Sequence, residues 1–397
     1  MSAHTTIAFV VQRIGPYHDA RLAALSAGRK GAVHAIEFRP EESIYAWETV
    51  RQSAGYSRRS AASGSDLLAA LDLLRPGTVV CVGYSDPEIH RVVLWAIANE
   101  VSLVVCSDST YDDEMRRWPK EAIKRRILTA FDAALVAGKR AQRYLEILGV
   151  GSDRIFHPWD VVDNDHFEGG AEIARAAEAQ TRTRLGVKGP FFLCVARFVP
   201  KKNLAGLLVS YADYCAIAGE EAWPLLLSGD GILREQLSAL ALRLGLASRV
   251  RFLGVVAYAD LPAYYGLAGA VVLPSKSEQW GLVVNEAMAA GAPVVVSSRC
   301  GCSPELVKDG QTGSSFEPDV PGALRDSLCA IAALPLEKRM SMGRRSREVV
   351  AGFTPDAFAR GLEAAISHAL SHPRRRAPWA TRVVLQMMAK RTVEVSQ

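Results

Sequence analysis

The sequence predicts an α/β protein with two doubly wound domains that face each other across a cleft. Short apolar runs alternate with segments of helical spacing, and this strand-helix alternation is found in both halves of the chain. The length of 397 residues fits two domains, since a domain usually takes about 100 to 200 residues. Ligands of such sheets bind beyond the carboxyl ends of the strands, so the cleft between the domains is the expected binding region.

Residues 1–168 are predicted to form the first domain. Its apolar runs have the composition of buried parallel strands: Ile7–Val11, Val33–Phe38, Val79–Val82, Leu103–Cys106 and Ala133–Val136. Helical spacing between these runs predicts helices over Pro16–Ala27, Asp66–Leu74, Pro87–Asn99 and Glu121–Thr129.

The second half repeats this alternation after a change in composition. Residues 169–188 lack apolar runs and are predicted to be a linker, whereas residues 189–355 are predicted to form the second domain. Its strands are expected at Phe191–Ala196, Leu225–Ser228, Val250–Leu253, Ala270–Leu273 and Val294–Ser297. Residues 356–397 are expected to be helical and to pack back toward the first domain.

The charge and hydropathy of the chain limit the classes of protein to which it can belong. A net charge of +5 is modest for this length, which argues against a nucleic-acid partner and suits anionic small molecules or a membrane surface. The first residues lack the basic flank of a secretory signal, and no apolar run approaches the roughly 18 residues that span a bilayer. We therefore expect a cytoplasmic protein, with peripheral attachment to the inner face of the cell membrane as a further hypothesis.

The segment Leu273–Gly291 is the most informative part of the second domain. Gly281 allows a close turn before a helix that starts at Leu282, and Gly291 suits the end of that helix. The free N–H groups at such a helix N-terminus favour a phosphate. Glu278 before the helix and Glu286 within it supply carboxylates for the hydroxyls of a sugar or ribose. The alternative is a pair of solvent-exposed glutamates.

A second segment, Val195–Asn203, begins as a strand ends. It carries Arg197 and Lys202, and a guanidinium together with an ammonium can hold a diphosphate. The alternative is a solvated basic loop.

These segments resemble the retaining glycosyltransferases of family 4, which have the GT-B fold of two Rossmann-like domains. The resemblance covers most of the second domain. It rests on pieces that follow in the family's order: Arg197 to Lys202, the turn Gly229-Asp230-Gly231, Glu278 to Glu286, and the stretch from Cys302 through Gly313.

The resemblance implies roles for these residues. Arg197 and Lys202 would bind the donor diphosphate as catalytic groups, and Glu278 would contact the transferred sugar. The other implied donor-binding residues are Gly229, Phe252 beside the nucleobase, Gly281, Leu282 and Val283 with their amides, and Glu286 on the ribose hydroxyls.

The first domain departs from the family pattern. In place of the family's glycine-rich loop after the first strand, it has Gly15, which the resemblance implies as a donor-binding residue. Pro16, which follows, has no N–H. Where the family often has a histidine near the reacting sugar, this chain has Asp108, with Ser107 as an alternative. His18 is a second candidate for that role, although a structural contact is the more common use of such a residue.

The implied function is a retaining, metal-independent hexosyltransferase without a cofactor. It would move a sugar from a UDP-sugar or GDP-sugar to a glycan or lipid-linked acceptor in polysaccharide or glycoconjugate biosynthesis. A manganese site at Asp163-Asn164-Asp165 is a rejected alternative, because the resembled family meets the diphosphate charge with side-chain cations. A nucleotide-sugar epimerase or a non-catalytic nucleotide-sugar binding protein stay open. An NAD-dependent oxidoreductase would need a glycine fingerprint that is not found around Gly15.

Two basic stretches with aromatic residues are candidates for contact with an anionic membrane surface. One is residues 116–126, with Trp118 among several arginines and lysines. The other combines Arg374, Arg375 and Arg376 with the segment from Trp379 to Met388. Each stretch also suits a plain solvated face.

Overall fold

A computed structural model describes residues 5–39, 55–372 and 377–391 of the chain. The chain divides into two compact units: unit 1 comprises Met1–Val161 and Pro355–Gln397, and unit 2 comprises Val162–Thr354. In the described part of each unit, the strands form one parallel sheet and are connected by helices. The predicted α/β class with two doubly wound sheets is therefore confirmed.

The described residues of unit 1 form a sheet of seven parallel strands. The strands are β1 (Ile7–Val11), β2 (Val33–Glu37), β3 (Ser57–Ser60), β4 (Thr78–Val82), β5 (Ser102–Ser107), β6 (Ala133–Val136) and β7 (Ile155–Phe156). The helices that alternate with them are α1 (Pro16–Ala27), α2 (Gly64–Leu74), α3 (Pro87–Ala98), α4 (Trp118–Leu128) and α5 (Lys139–Ile147). The strand order is β3-β2-β1-β4-β5-β6-β7, so the winding direction reverses between β1 and β4.

Unit 2 begins with α6 (Asn164–Ala176) and α7 (Glu178–Leu185), which contain most of the predicted linker. Phe167 and Ala171 on α6 are fully buried. Gly266 lies so close to α6 that a Cβ added to it would be 2.9 Å from the Ala171 Cα. The segment is thus packed into unit 2, through small residues that do not form the apolar runs by which strands are recognised.

The sheet of unit 2 has six parallel strands. They are β8 (Phe192–Val195), β9 (Leu225–Ser228), β10 (Val250–Gly254), β11 (Ala270–Leu273), β12 (Val294–Ser297) and β13 (Gly313–Phe316). The helices of the unit after α7 are α8 (Leu204–Ala218), α9 (Arg234–Arg243), α10 (Leu261–Leu267), α11 (Leu282–Ala289), α12 (Ser303–Leu306), α13 (Ala323–Ala332) and α14 (Leu336–Val350). The strand order is β10-β9-β8-β11-β12-β13, so the winding reverses between β8 and β11.

The last helices, α15 (Pro355–Ser371) and α16 (Trp379–Ala389), belong to unit 1. Helix α15 packs on α1 and on strands β5 to β7, whereas α16 packs on α3 and α4. Within residues 5–39, 55–372 and 377–391, no helix has both the length and the apolar character needed to cross a bilayer.

Candidate functional site

The candidate site of unit 2 lies at the point where the strand order reverses. In open α/β sheets the ligand crevice forms at the carboxyl ends of the two strands that flank such a reversal. The loop after β8 carries Arg197 and Lys202, and the loop after β11 carries Glu278. The fold therefore places these predicted residues on the two loops where a ligand is expected.

Asn203 joins the two loops. Its backbone has a φ of 54°, in the left-handed region, and its Nδ2 donates a hydrogen bond to the Pro274 carbonyl at 3.2 Å. The backbone N–H of Lys276 donates to the Lys201 carbonyl at 2.9 Å. A Cβ at position 206 would lie 2.5 Å from the Asn203 Oδ1, so Gly206 leaves room for the Asn203 amide where it bonds to Pro274. The sequence offered no periodic signal for this role.

Lys202 and Glu278 form an ion pair between the two loops. The Lys202 Nζ contacts the Glu278 Oε2, and the Ser275 hydroxyl donates to the same oxygen at 3.2 Å. The two charged side chains are 14% and 12% exposed, so both still reach solvent. An ammonium has further N–H donors beyond one carboxylate contact, so Lys202 can hold Glu278 and a phosphate oxygen together. Arg197 lies on the same loop and is partly exposed.

Gly281 turns the chain into α11. Its φ of 107° is in the left-handed region, and a Cβ would lie 2.8 Å from the Leu273 Cδ2, so a side chain is excluded on both grounds. Leu282 and Val283 form the first turn of α11 and are partly exposed. Amides of a first helical turn have no partner within the helix, which makes this end suited to an anion.

Glu286 is held inside unit 2. Its side chain is 1% exposed, and the Tyr265 hydroxyl donates to the Glu286 Oε2 at 2.5 Å. Burial raises the pKa of Tyr258, and the charge of Glu286 adds to that shift. The hydrogen bond to Glu286 makes Tyr265 a candidate positioning residue. Sequence analysis missed it, because an aromatic residue in the apolar helix α10 looks like an ordinary core residue.

The loops after β9 and β10 complete this edge of the sheet. Gly229 has a φ of 134°, and a Cβ would lie 1.9 Å from the Ala196 carbonyl oxygen. The Gly229 N–H donates to the Gly254 carbonyl at 2.7 Å. The Phe252 ring centroid is 6.1 Å from that of Phe198. Gly229 thus allows the backbone on which Arg197 lies to approach closely.

In unit 1, Gly15 and Asp108 follow β1 and β5. The Gly15 N–H donates to the His18 Nδ1 at 3.4 Å, a contact that requires an unprotonated nitrogen. Burial, with the Arg21 charge as a second cause, lowers the pKa of His18 to about 3. His18 is therefore neutral near pH 7.

Arg21 has a dense set of contacts. Its guanidinium lies 3.3 Å from the Asp160 Oδ1, donates to the Val161 carbonyl at 2.9 Å and lies 4.3 Å from the Trp159 ring centroid. Burial lowers its pKa, while Asp160, and more weakly Asp108, oppose that effect.

In unit 2, the Asp163 Oδ1 accepts the His166 N–H at 3.0 Å, so this carboxylate caps α6.

Comparison with solved structures defines the class of fold. HepE of Anabaena, whose crystal structure is in complex with UDP and glucose, aligns with a TM-score of 0.70 and 17% identity over 92% of this chain and all of that one. At this identity the likeness concerns the fold, which is that of GT-B glycosyltransferases.

Sequence comparison finds similarity to glycosyltransferases. Residues 177–349 match the model of the family described as glycosyl transferases group 1. A GDP-mannose-dependent alpha-(1-6)-phosphatidylinositol monomannoside mannosyltransferase of Mycobacterium tuberculosis is 31% identical over 48% of this chain and 49% of its own length. A D-inositol 3-phosphate glycosyltransferase of Nocardia farcinica is 29% identical over 73% of this chain and 64% of its own. The chain thus spans about half to two thirds of these relatives.

Proposed function

We propose that this chain is a retaining, metal-independent glycosyltransferase that uses a UDP-sugar or GDP-sugar. The observation that carries the proposal is the Lys202–Glu278 pair, which joins the loops after β8 and β11 where the winding of unit 2 reverses. The family match of residues 177–349 and the names of the curated relatives support the same reaction class. The acceptor is proposed to be a glycan or a lipid-linked glycan.

The donor diphosphate needs positive groups that are fixed in place before the reaction. Cleavage of the bond between the sugar C1 and the diphosphate oxygen leaves an additional negative charge on the terminal phosphate of the diphosphate. Lys202, Arg197 and the first amides of α11 are proposed to stabilise that charge. Glu278, held by Lys202 and Ser275, would accept hydrogen bonds from hydroxyls of the transferred sugar.

The proposed transfer of the sugar needs neither a cofactor nor a metal. The acceptor oxygen forms its bond to C1 on the face from which the diphosphate departs, and the acceptor proton passes to a diphosphate oxygen. The configuration at C1 is then retained. Glu286 and Phe252 are proposed to hold the ribose and the nucleobase.

A ligand screen followed by a transfer assay tests the proposal. UDP, GDP or their sugars should raise the thermal unfolding midpoint, because a ligand that binds the folded state stabilises it. Transfer to an acceptor should persist in EDTA and give a product with the anomeric configuration of the donor. Inverted product or loss of activity in EDTA would refute the mechanism. Binding without transfer would instead identify a binding protein, and release of an altered nucleotide sugar without an acceptor would identify an epimerase.

A further inference from the structure

Helix α16 exposes an apolar stripe on the surface of unit 1. Trp379, Val383 and Met387 are 79%, 41% and 67% exposed, and their spacing of four residues places them on one face of the helix. The opposite face is buried through Thr381, Leu385 and Ala389. One face of α16 is thus packed on unit 1, while the other exposes an apolar stripe that includes a large aromatic residue. Such a stripe is typical of a surface that binds a partner.

The charge beside this stripe is positive. Residues 377–391 contain no aspartate or glutamate, and the exposed Arg382, Lys390 and Arg391 lie next to the stripe in sequence.

The Thr129 Oγ1 that follows α4 lies 2.9 Å from the Thr381 Oγ1, so the end of α4 is close to the start of α16. Arg125 and Arg126 near that end of α4 are exposed. Arg374, Arg375 and Arg376 lie outside the described residues.

Only part of the basic stretch 116–126 is available for such a contact. Arg116 lies 2.8 Å from the Tyr144 hydroxyl and pairs with Asp113 and Glu114. Lys124 pairs with Glu114 at 2.7 Å and with Glu121 at 3.2 Å. Among the described residues, the exposed cations of this stretch that form no ion pair are Arg117 and Lys120 at the start of α4, and Arg125 and Arg126 at its α16 end. Arg125 and Arg126 are the two that lie beside α16.

A cavity of about 430 Å³ lies between the end of α4 and the start of α16. Arg125 and Arg154 line it together with Pro378, the residue before Trp379. Each arginine uses one N–H on a backbone carbonyl, Arg125 on Ile147 at 3.2 Å and Arg154 on Phe131 at 3.1 Å. A guanidinium has further donors, and phosphate oxygens match their geometry.

We propose that α16 docks unit 1 onto a bilayer of anionic phospholipid. The stripe of Trp379, Val383 and Met387 enters the boundary between headgroups and acyl chains, while Arg125 and Arg382 contact lipid phosphates. The argument for this occupant is charge complementarity, because a basic helix with an apolar stripe lies in the plane of an anionic interface. The proposal does not depend on the proposed glycosyl transfer.

Vesicle co-sedimentation of the full chain tests the proposal. The wild type should bind vesicles of phosphatidylglycerol mixed with phosphatidylcholine, bind pure phosphatidylcholine far more weakly, and lose most binding in high salt. The variant with Trp379→Ala and Met387→Ala should lose roughly tenfold or more in partition coefficient, because it loses most of the inserted apolar area. Arg125→Gln with Arg382→Gln should weaken the preference for phosphatidylglycerol.

A matched control is Leu242→Ala in unit 2, which removes a leucine that is 66% exposed at another surface. It should bind vesicles as the wild type does, and all variants should keep the wild-type thermal unfolding midpoint. Equal binding by the Trp379→Ala, Met387→Ala variant overturns the proposal, as does equal binding to both lipid compositions. A dimer in sedimentation equilibrium that this variant abolishes, without vesicle binding by the wild type, assigns the stripe to a second copy and also overturns it.

Discussion

The two units contain ion pairs of different character. In unit 1, Arg21 and Asp160 lie 3.3 Å apart with side chains 2% and 7% exposed, and Arg21 also contacts a carbonyl and an aromatic ring. In unit 2, Lys202 and Glu278 remain 14% and 12% exposed on loops that meet at the strand-order reversal. A cation whose contacts are fixed and buried serves mainly the fold. A cation that still reaches solvent retains donors for a ligand.

The largest expected effect is the loss of the buried pair. Arg21→Met should lower the free energy of unfolding by about 3 to 5 kcal/mol, because the buried Asp160 carboxylate would lose its cationic partner. Lys202→Met should lower it by less than Arg21→Met does, because the Lys202–Glu278 pair keeps contact with solvent. Urea unfolding of both variants measures the difference. Equal destabilisation would show that the two pairs have the same role.

The next largest effect concerns turnover. Lys202→Met should lower sugar transfer by roughly 10² to 10³, the loss typical when one preorganised donor is removed from a developing negative charge. The matched control is Lys201→Met, which changes the neighbouring exposed lysine and should leave the rate unchanged. A folded Lys202→Met variant with wild-type turnover would contradict the assignment of Lys202 to the leaving group.

Tyr265→Phe should have a smaller effect that sharpens the role of Glu286. Loss of a hydrogen bond to a buried carboxylate should lower nucleotide affinity by about tenfold. If Glu286 contacts the ribose, the variant should also discriminate less against the 2′-deoxynucleotide. Titration calorimetry with both nucleotides measures this, with Tyr264→Phe as the control at a partly exposed neighbour. Unchanged discrimination would limit Tyr265 to a structural role.

The smallest effect is an acid sensitivity from His18. Its pKa is lowered from 6.5 to about 3 in the folded state, so the unfolded state binds more protons between these values. Stability from this group is present above about pH 6.5 and falls as the pH decreases toward 3. Between pH 7.5 and 5.5 the wild type should lose at most about 1.4 kcal/mol more than His18→Gln. Identical losses by urea unfolding would show that His18 is not held neutral.

Apolar periodicity located the elements with a strong local pattern. Strand β1 and helix α1 have the predicted bounds, Ile7–Val11 and Pro16–Ala27. Strand β3, Ser57–Ser60, was not predicted because it is a polar, mostly exposed edge strand held by main-chain pairing to β2. Strand β7 has only two residues, too few for a periodic signal.

The residues of the candidate site also divide into those that a local sequence pattern predicted and those that it did not. Gly281 was predicted because a sharp turn before a helix needs glycine, and its φ of 107° agrees with that need. Asn203 and Tyr265 were missed, since each acts through a contact with residues distant in sequence, Pro274 and Glu286 respectively. The pairing of Arg116 and Lys124 around Tyr144 was missed for the same reason. The catalytic and donor-binding roles stay predictions.

The most direct test of the Lys202–Glu278 site compares nucleoside diphosphate with nucleoside monophosphate binding by titration calorimetry. If Lys202 holds the diphosphate, the wild type should bind the diphosphate more tightly, and Lys202→Met should lose that preference while its monophosphate affinity stays close to the wild-type value. A preference of equal size in both proteins would contradict the account.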